Sequence, residues 1–489
     1  MESFSHLISL YKPQNSNKMK RIAIAILLLV GSMTNATAQK DETLLKKGEL
    51  TTKIDKLTKQ YSKLDIFSGV VLVAENGNPL YHKAFGLANR STKETNTIKT
   101  KFDIGSMNKT FTHMVLLQLW EQGLLKFEDK LGMYLEGFSK EAAEKITINQ
   151  LVNHTSGIGD YVGADYFDLK YEDKTIEALV ERIKKLPLLF EPGTEDDYSN
   201  SGFILLGAII EKVTGKSYHQ NVIERIIEPL KLKETYVING NEVPNYAIGY
   251  YKDMKGKLLD NGNFEEVPSS AGGFYATASD MLTFYREFHY GTKILKHETK
   301  MQDEFFSMIQ EHNQTGGAIP HAGGWNGANT VHYEILRDKI SILVFANMDE
   351  PVAEQLGAGI LAIVRGKDPK SPSLPAVQNV YQAYTKHGIA YVKDHFYELI
   401  SNFHPTDPKG LILNQIGYSH LREKQMEKAI AIFQLNTALF PEDANLWDSL
   451  GEAYFKKGNR EKALEYYSKA LKLDPEMPSA KEMVRKLKN

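Results

Sequence analysis

"DIGSMNKTF", residues 103–111, places a lysine three positions after a serine, just where the apolar run "TFTHMVLLQLW" (110–120) begins. A helix apolar on so many sides belongs in a core rather than on a surface. Ser106 then stands at the start of a buried helix, with Lys109 at i+3 on the same face. A serine in that place is ordinarily only a cap. Lys109 changes the reading, because an ammonium beside the positive end of a helix dipole is disfavoured there, which suits the lysine to act as a base for the neighbouring hydroxyl.

Two more stretches carry chemistry-bearing residues. "FEPGTEDDYSNSGFILLGAIIEKVTGKSY" (190–218) sets Tyr198 and Asn200 just before a second apolar helix pattern, Phe203 to Val213. A phenol is a poor base unless a nearby ammonium favours its ionised form, and only then could Tyr198 shuttle a proton. "IPHAGGWNGANTVHYEIL" (319–336) sets His321 ahead of glycines that allow a backbone to approach a ligand closely where a strand begins.

In this order, Ser-x-x-Lys, Tyr-x-Asn and His-x-Gly are similar to the three active-site motifs of serine penicillin-recognising hydrolases of the class C β-lactamase type. That family also includes D-alanyl-D-alanine carboxypeptidases, D-aminopeptidases and esterases. The resemblance runs over residues 60–365 and takes in "LVNHTSGI" (151–158), "EPGT" (191–194), "LLGAIIEKVTGKSY" (205–218) and "SSAGGFYATASDML" (269–282). It implies a nucleophile at Ser106, with Lys109 and Tyr198 taking its proton and passing it on. It also implies a substrate-carbonyl amide at Asn200, a cleft edge at Gly323, and an oxyanion hole from the N–H groups of Ser106 and Gly324. His321 departs from the Lys-Thr-Gly of the β-lactamases and is more like the peptidase and esterase branches. Charged, it would hold a substrate carboxylate.

The rest of the chain fits that expectation. "SGVVLVAENGNPLYHKAFG" (68–86) reads as a hairpin turning at Asn76 and Gly77. Strand patterns return at 329–336 and 339–349, followed by a helical "AEQLGAGILAIVRG". The expected fold class is α+β: a β-lactamase-like domain over 39–366, with an antiparallel sheet made from the two ends of the domain, flanking helices and a helical subdomain. A Pro/Ser-rich linker follows at 367–376. Beyond it, Gly417 and Gly451, Ala429 and Ala463, Phe433 and Tyr467, and Pro441 and Pro475 are each 34 residues apart. That period resembles tetratricopeptide repeats, here 410–443 and 444–477, in an all-α module over 377–489. The stretch Val377 to Phe403 is expected to pack beneath the repeats as an extra hairpin, since two repeats alone are too few.

From Met19, the alternative start, "MKRIAIAILLLVGSMTNATAQK" has a basic end, a short apolar run and a small-x-small site at Ala36 and Ala38, so residues 1–38 read as a signal peptide. Export to the periplasm or beyond follows, with no stable membrane anchor. The balance of 59 basic and 61 acidic residues gives no reason to expect nucleic-acid binding, and the absence of cysteine excludes a thiol nucleophile, disulfides and thiolate metal sites. No cofactor or metal is expected: His312, His321 and His332 fit no ligand spacing and read as loop or strand residues. His154 reads as ordering a turn. "VTGKS" (213–217) mimics the tail of a phosphate loop, yet Ile210 stands where that loop needs glycine. The reading that results is an acyl-enzyme hydrolase of D-amino-acid peptides, amides or carboxylic esters, with a protein partner for the repeats. The rival is a penicillin-binding sensor or scaffold that acylates without turnover.

Overall fold

The computed structural model describes residues 47–163, 165–166, 169–238, 242–262, 267–349, 351–401 and 409–488. The expected signal peptide lies outside the described residues. Two compact units are formed: one runs to Tyr251 and resumes over Asp260–Pro372, and the other joins Lys252–Leu259 with Ser373 onward.

The first unit is α+β and is organised by a five-stranded antiparallel sheet. Its strands are β1 (Gly69–Glu75), β2 (Asn78–Phe85), β3 (Ile319–Trp325), β4 (Ala328–Ile335) and β5 (Ile340–Ala346), in the order β3-β4-β5-β1-β2. Asn76 and Gly77 both take positive φ (50° and 79°), as a type I′ hairpin turn requires. The two ends of the unit meet where β1 pairs with β5, from Gly69 opposite Ala346 to Glu75 opposite Ile340. Every residue from Val70 to Ala74 and from Ile340 to Ala346 is buried. Such runs belong to a sheet covered on both faces.

The helices α1 (Lys47–Lys63), α2 (Lys109–Glu121), α3 (Asn200–Thr214), α4 (Ala278–Tyr290) and α5 (Val352–Val364) supply the cover. α5 packs on β4 and β5 with α1 behind it, and α4 packs on the opposite face, against β1 and β5. That second face leads into the main core, where Phe111 of α2 stacks on Phe284 of α4 at 3.9 Å between ring centroids. α2 is buried along nearly its whole length, as its all-round apolar sequence demands.

From Ser373 onward the described part of the second unit is all-α. α6 (Ala376–Leu399) is broken in two at Gly388, whose φ of 83° no helix accommodates. Its Val380, Val392 and Phe396 pack with Ile412, Ile416 and Ile432 of the next two helices. Those are α7 (Gly410–Arg422) and α8 (Met426–Leu439), followed by α9 (Ala444–Lys456), α10 (Arg460–Leu473) and α11 (Pro478–Lys488). The 34-residue repeat has a steric basis: Gly417 lies against the Phe433 ring, and Gly451 against the Tyr467 ring. A Cβ at Gly451 would sit only 3.0 Å from that ring. Gly451→Val is therefore expected to cost about 1–3 kcal/mol of stability in this unit by overpacking. Urea unfolding followed by circular dichroism checks this, and an unchanged midpoint would contradict the packing.

Candidate active site

Ser106 lies in a single 3-10 turn, Gly105–Asn108, that runs directly into α2 at Lys109. Three residues per turn eclipse positions i and i+3. The Lys109 Nζ accordingly donates to Ser106 Oγ at 2.8 Å, and its other hydrogen bonds go to Asn200 Oδ1 at 2.9 Å and the Ala271 carbonyl at 2.6 Å. Tyr198, just before α3, brings its hydroxyl to 2.7 Å from Ser106 Oγ. Asn200, the first residue of α3, accepts at 3.4 Å from the same phenol. The first two motifs thus converge on one hydroxyl, which faces an ammonium and a phenol together.

Behind these groups stand residues whose roles the sequence does not announce. Asp160 Oδ2 accepts from both the backbone N–H of Asn200 (3.1 Å) and its side-chain amide (2.9 Å), which fixes Oδ1 toward Lys109. Burial raises the Asp160 carboxyl above its ordinary pKa. Asn108 donates to the Ser269 carbonyl and Thr112 to that of Ser270, which hold the 269–272 segment so that Ala271 presents its carbonyl to Lys109. His154 does order a turn, at φ 58°, but its ring also stacks on Tyr198 at 4.6 Å between centroids. Its Nδ1 accepts the Ser199 N–H at 3.2 Å, so the neutral ring carries its proton on Nε2.

The third motif delivers its glycines but not its histidine. A Cβ on Gly323 would meet the Ile104 carbonyl at 2.0 Å and the Ser106 nitrogen at 2.8 Å, and one on Gly105 would meet the Gly324 nitrogen at 2.7 Å. The β3 edge and the Ser106 turn are therefore in backbone contact, with the nitrogens of Ser106 and Gly324 on that seam. The expectation of a charged His321 for a substrate carboxylate is corrected. Its ring packs among Tyr285, Phe288, Phe305, His289 and His332, and its Nε2 is buried without a hydrogen-bond partner. Burial, with the neighbouring His332, holds the imidazole neutral far below its usual pKa. His312 falls on the helix Glu304–Thr315 rather than in a loop.

Residues 54–363 match the family model described as Beta-lactamase. The chain belongs to that family. Residues 444–477 match the tetratricopeptide repeat model. Over 315 residues this family member is 29% identical to Penicillin-binding protein 4* of Bacillus subtilis, covering 58% of this chain and 69% of that one. Over 231 residues it is 31% identical to the teichoic acid D-alanine hydrolase of Staphylococcus aureus, covering 47% of this chain and 55% of that one. It therefore spans only about half the length of the second relative. Among solved structures, the D-amino acid amidase of Ochrobactrum anthropi SV3 shares the fold, with a TM-score of 0.53, 20% identity, and coverage of 65% of this chain and 97% of that one. These relatives place the chain among β-lactamase-fold serine hydrolases.

Acid should dismantle this site through His154, whose pKa is lowered to about 3 by burial and by the charge of Lys109. The unfolded chain binds a proton there near pH 6.5 whereas the folded one resists, so stability is complete above pH 6.5 and declines as pH falls towards about 3. His154→Gln keeps an acceptor for Ser199 and should flatten that limb in a series of melting temperatures against pH. An acid limb identical to wild type would contradict the assignment.

Proposed function

We propose that this chain is an exported serine hydrolase acting through an ester on Ser106. Its substrates on this reading are D-amino-acid peptides or amides, or carboxylic esters. The observation that carries the reading is the single hydroxyl of Ser106 held at 2.8 Å from the Lys109 ammonium and 2.7 Å from the Tyr198 phenol. Ser106 Oγ attacks the substrate carbonyl carbon, and its proton passes to the Lys109–Tyr198 pair with one member deprotonated, either a Tyr198 phenolate beside the ammonium or a neutral Lys109 amine beside the phenol. The N–H groups of Ser106 and Gly324 stabilise the oxyanion, an effect worth about 3 kcal/mol per donor. As the tetrahedral intermediate collapses, the pair returns the proton to the departing amine or alcohol. Water then repeats the cycle on the ester and releases the acid.

Several features support this substrate class. Two of the relatives, a D-alanine hydrolase and a D-amino acid amidase, are named for D-configured substrates, and a third is named for binding penicillin. A neutral, inward-packed His321 offers no charge to a substrate carboxylate, which favours amides and neutral esters over penicillins and free C-termini. Export is supported by the signal-peptide pattern, and among the described residues no helix is long and apolar enough to cross a membrane. The repeats suit a protein segment as partner, with no nucleic acid involved.

Steady-state hydrolysis of D-alanyl and L-alanyl anilides, a short-chain ester and a cephalosporin tests the reading. Continuous turnover of the D-anilide or the ester, faster than of the L-anilide and the cephalosporin, is expected. A single stoichiometric burst without turnover would favour the sensor instead. Tyr198→Phe should lower kcat/KM by about 10²–10⁴, the usual share of a positioned proton-transfer group.

A further inference from the structure

Beside the Ser106 seam, three imidazoles from three elements gather in one cluster. His289 lies in the last turn of α4, and His321 and His332 are direct cross-strand partners on β3 and β4. Their ring centroids form a nearly equilateral triangle with sides of 5.4, 5.7 and 5.9 Å. One ring nitrogen from each lies within 4.8 Å of those of the other two. Four nitrogens of this cluster are buried with no hydrogen-bond partner: Nδ1 and Nε2 of His289, Nε2 of His321 and Nδ1 of His332. Buried polar atoms are rarely left this way, and a concentration of them in one place calls for a missing partner.

The orientation of His332 indicates what that partner is. Its Nε2 lies 3.0 Å from Glu334 Oε2, and that carboxylate is itself held by Ser341 Oγ at 2.6 Å and Tyr290 OH at 2.6 Å. The carboxylate thereby accepts the proton of Nε2, and Nδ1 is left buried without a partner. A carboxylate behind a histidine, fixing its tautomer and its ring, is the usual support of a metal ligand.

We propose that His289, His321 and His332 bind a divalent transition-metal ion, zinc first. An all-imidazole set in a chain without cysteine suits zinc, copper or nickel rather than magnesium or calcium. Tetrahedral zinc with Zn–N bonds of about 2.0–2.1 Å holds its ligand nitrogens about 3.4 Å apart. The ligand nitrogens, now within 4.8 Å of one another, would have to close toward that spacing when the ion binds. Burial already keeps His289 and His321 in the neutral form that ligates metal. His289 escapes a reading of spacing, because it comes from a helix distant in sequence from the two strand histidines.

The site would do structural work for the catalytic edge. His321 is two residues before Gly323, whose backbone packs against the Ser106 turn. A metal tying β3 and β4 to α4 would hold that edge still. The proposal does not depend on the acyl-enzyme reading, so metal binding is measured on Ser106→Ala as well.

The test is calorimetric titration of the chelator-stripped full chain with Zn²⁺, together with the visible spectrum of its Co²⁺ form. One equivalent should bind with submicromolar affinity, raise the melting temperature and give the intense bands of four-coordinate Co²⁺. His289→Ala should lower the affinity at least 100-fold, and Glu334→Gln about 10–100-fold. Affinity no better than millimolar in folded wild type, or unchanged in folded His289→Ala, would overturn the proposal. Should the variants fail to fold, a weak six-coordinate Co²⁺ spectrum in wild type overturns it equally.

Discussion

The buried ammonium of Lys109 organises the first unit's functional half. A charge removed from water is tolerated only where hydrogen bonds replace its hydration. Here each of three acceptors comes from a different part of the chain: Ser106 from the turn before α2, Asn200 from the start of α3, and the Ala271 carbonyl from the segment before α4. Asp160 reaches the lysine through Asn200, which it grips at two nitrogens. Satisfying Lys109 therefore fixes the mutual positions of three helices and, with them, the serine and the phenol. The chemistry and the folding requirement are one constraint.

Much of this is legible in the amino-acid sequence alone. The Ser-x-x-Lys spacing implies a shared face, and the 3-10 turn brings the two side chains together by eclipsing them. The Asn76-Gly77 turn and the 34-residue period of the repeats follow from local chemistry, and the antiparallel sheet from the strand patterns at the domain's two ends. What is not legible are contacts that depend on distant chain meeting in space. Asp160 is an ordinary acid in sequence, and only the fold puts it against Asn200. His154 reads as a turn residue and is one, but its stack on Tyr198 comes from tertiary packing.

His321 shows why a motif position is not a role. On β3 it shares a face with Gly323, and that face is turned toward α4. The glycine accepts the close backbone of the Ser106 turn, while two residues earlier the same face meets Tyr285, His289 and His332. A lysine there has the length to leave such a pocket, whereas an imidazole stays inside it and takes its neighbours as partners. The polar residue of the third motif is thereby packed among side chains of α4 and β4.

The central claim is that the hydroxyl of Ser106 is activated by the group on Lys109. Intact-mass spectrometry after exposure to a fluorophosphonate addresses it most directly, on wild type, Ser106→Ala and Lys109→Met, each checked for folding. One adduct per wild-type chain is expected, none on Ser106→Ala, and labelling of Lys109→Met slowed by orders of magnitude. An adduct that persists in Ser106→Ala, or labelling of folded Lys109→Met at the wild-type rate, would contradict it.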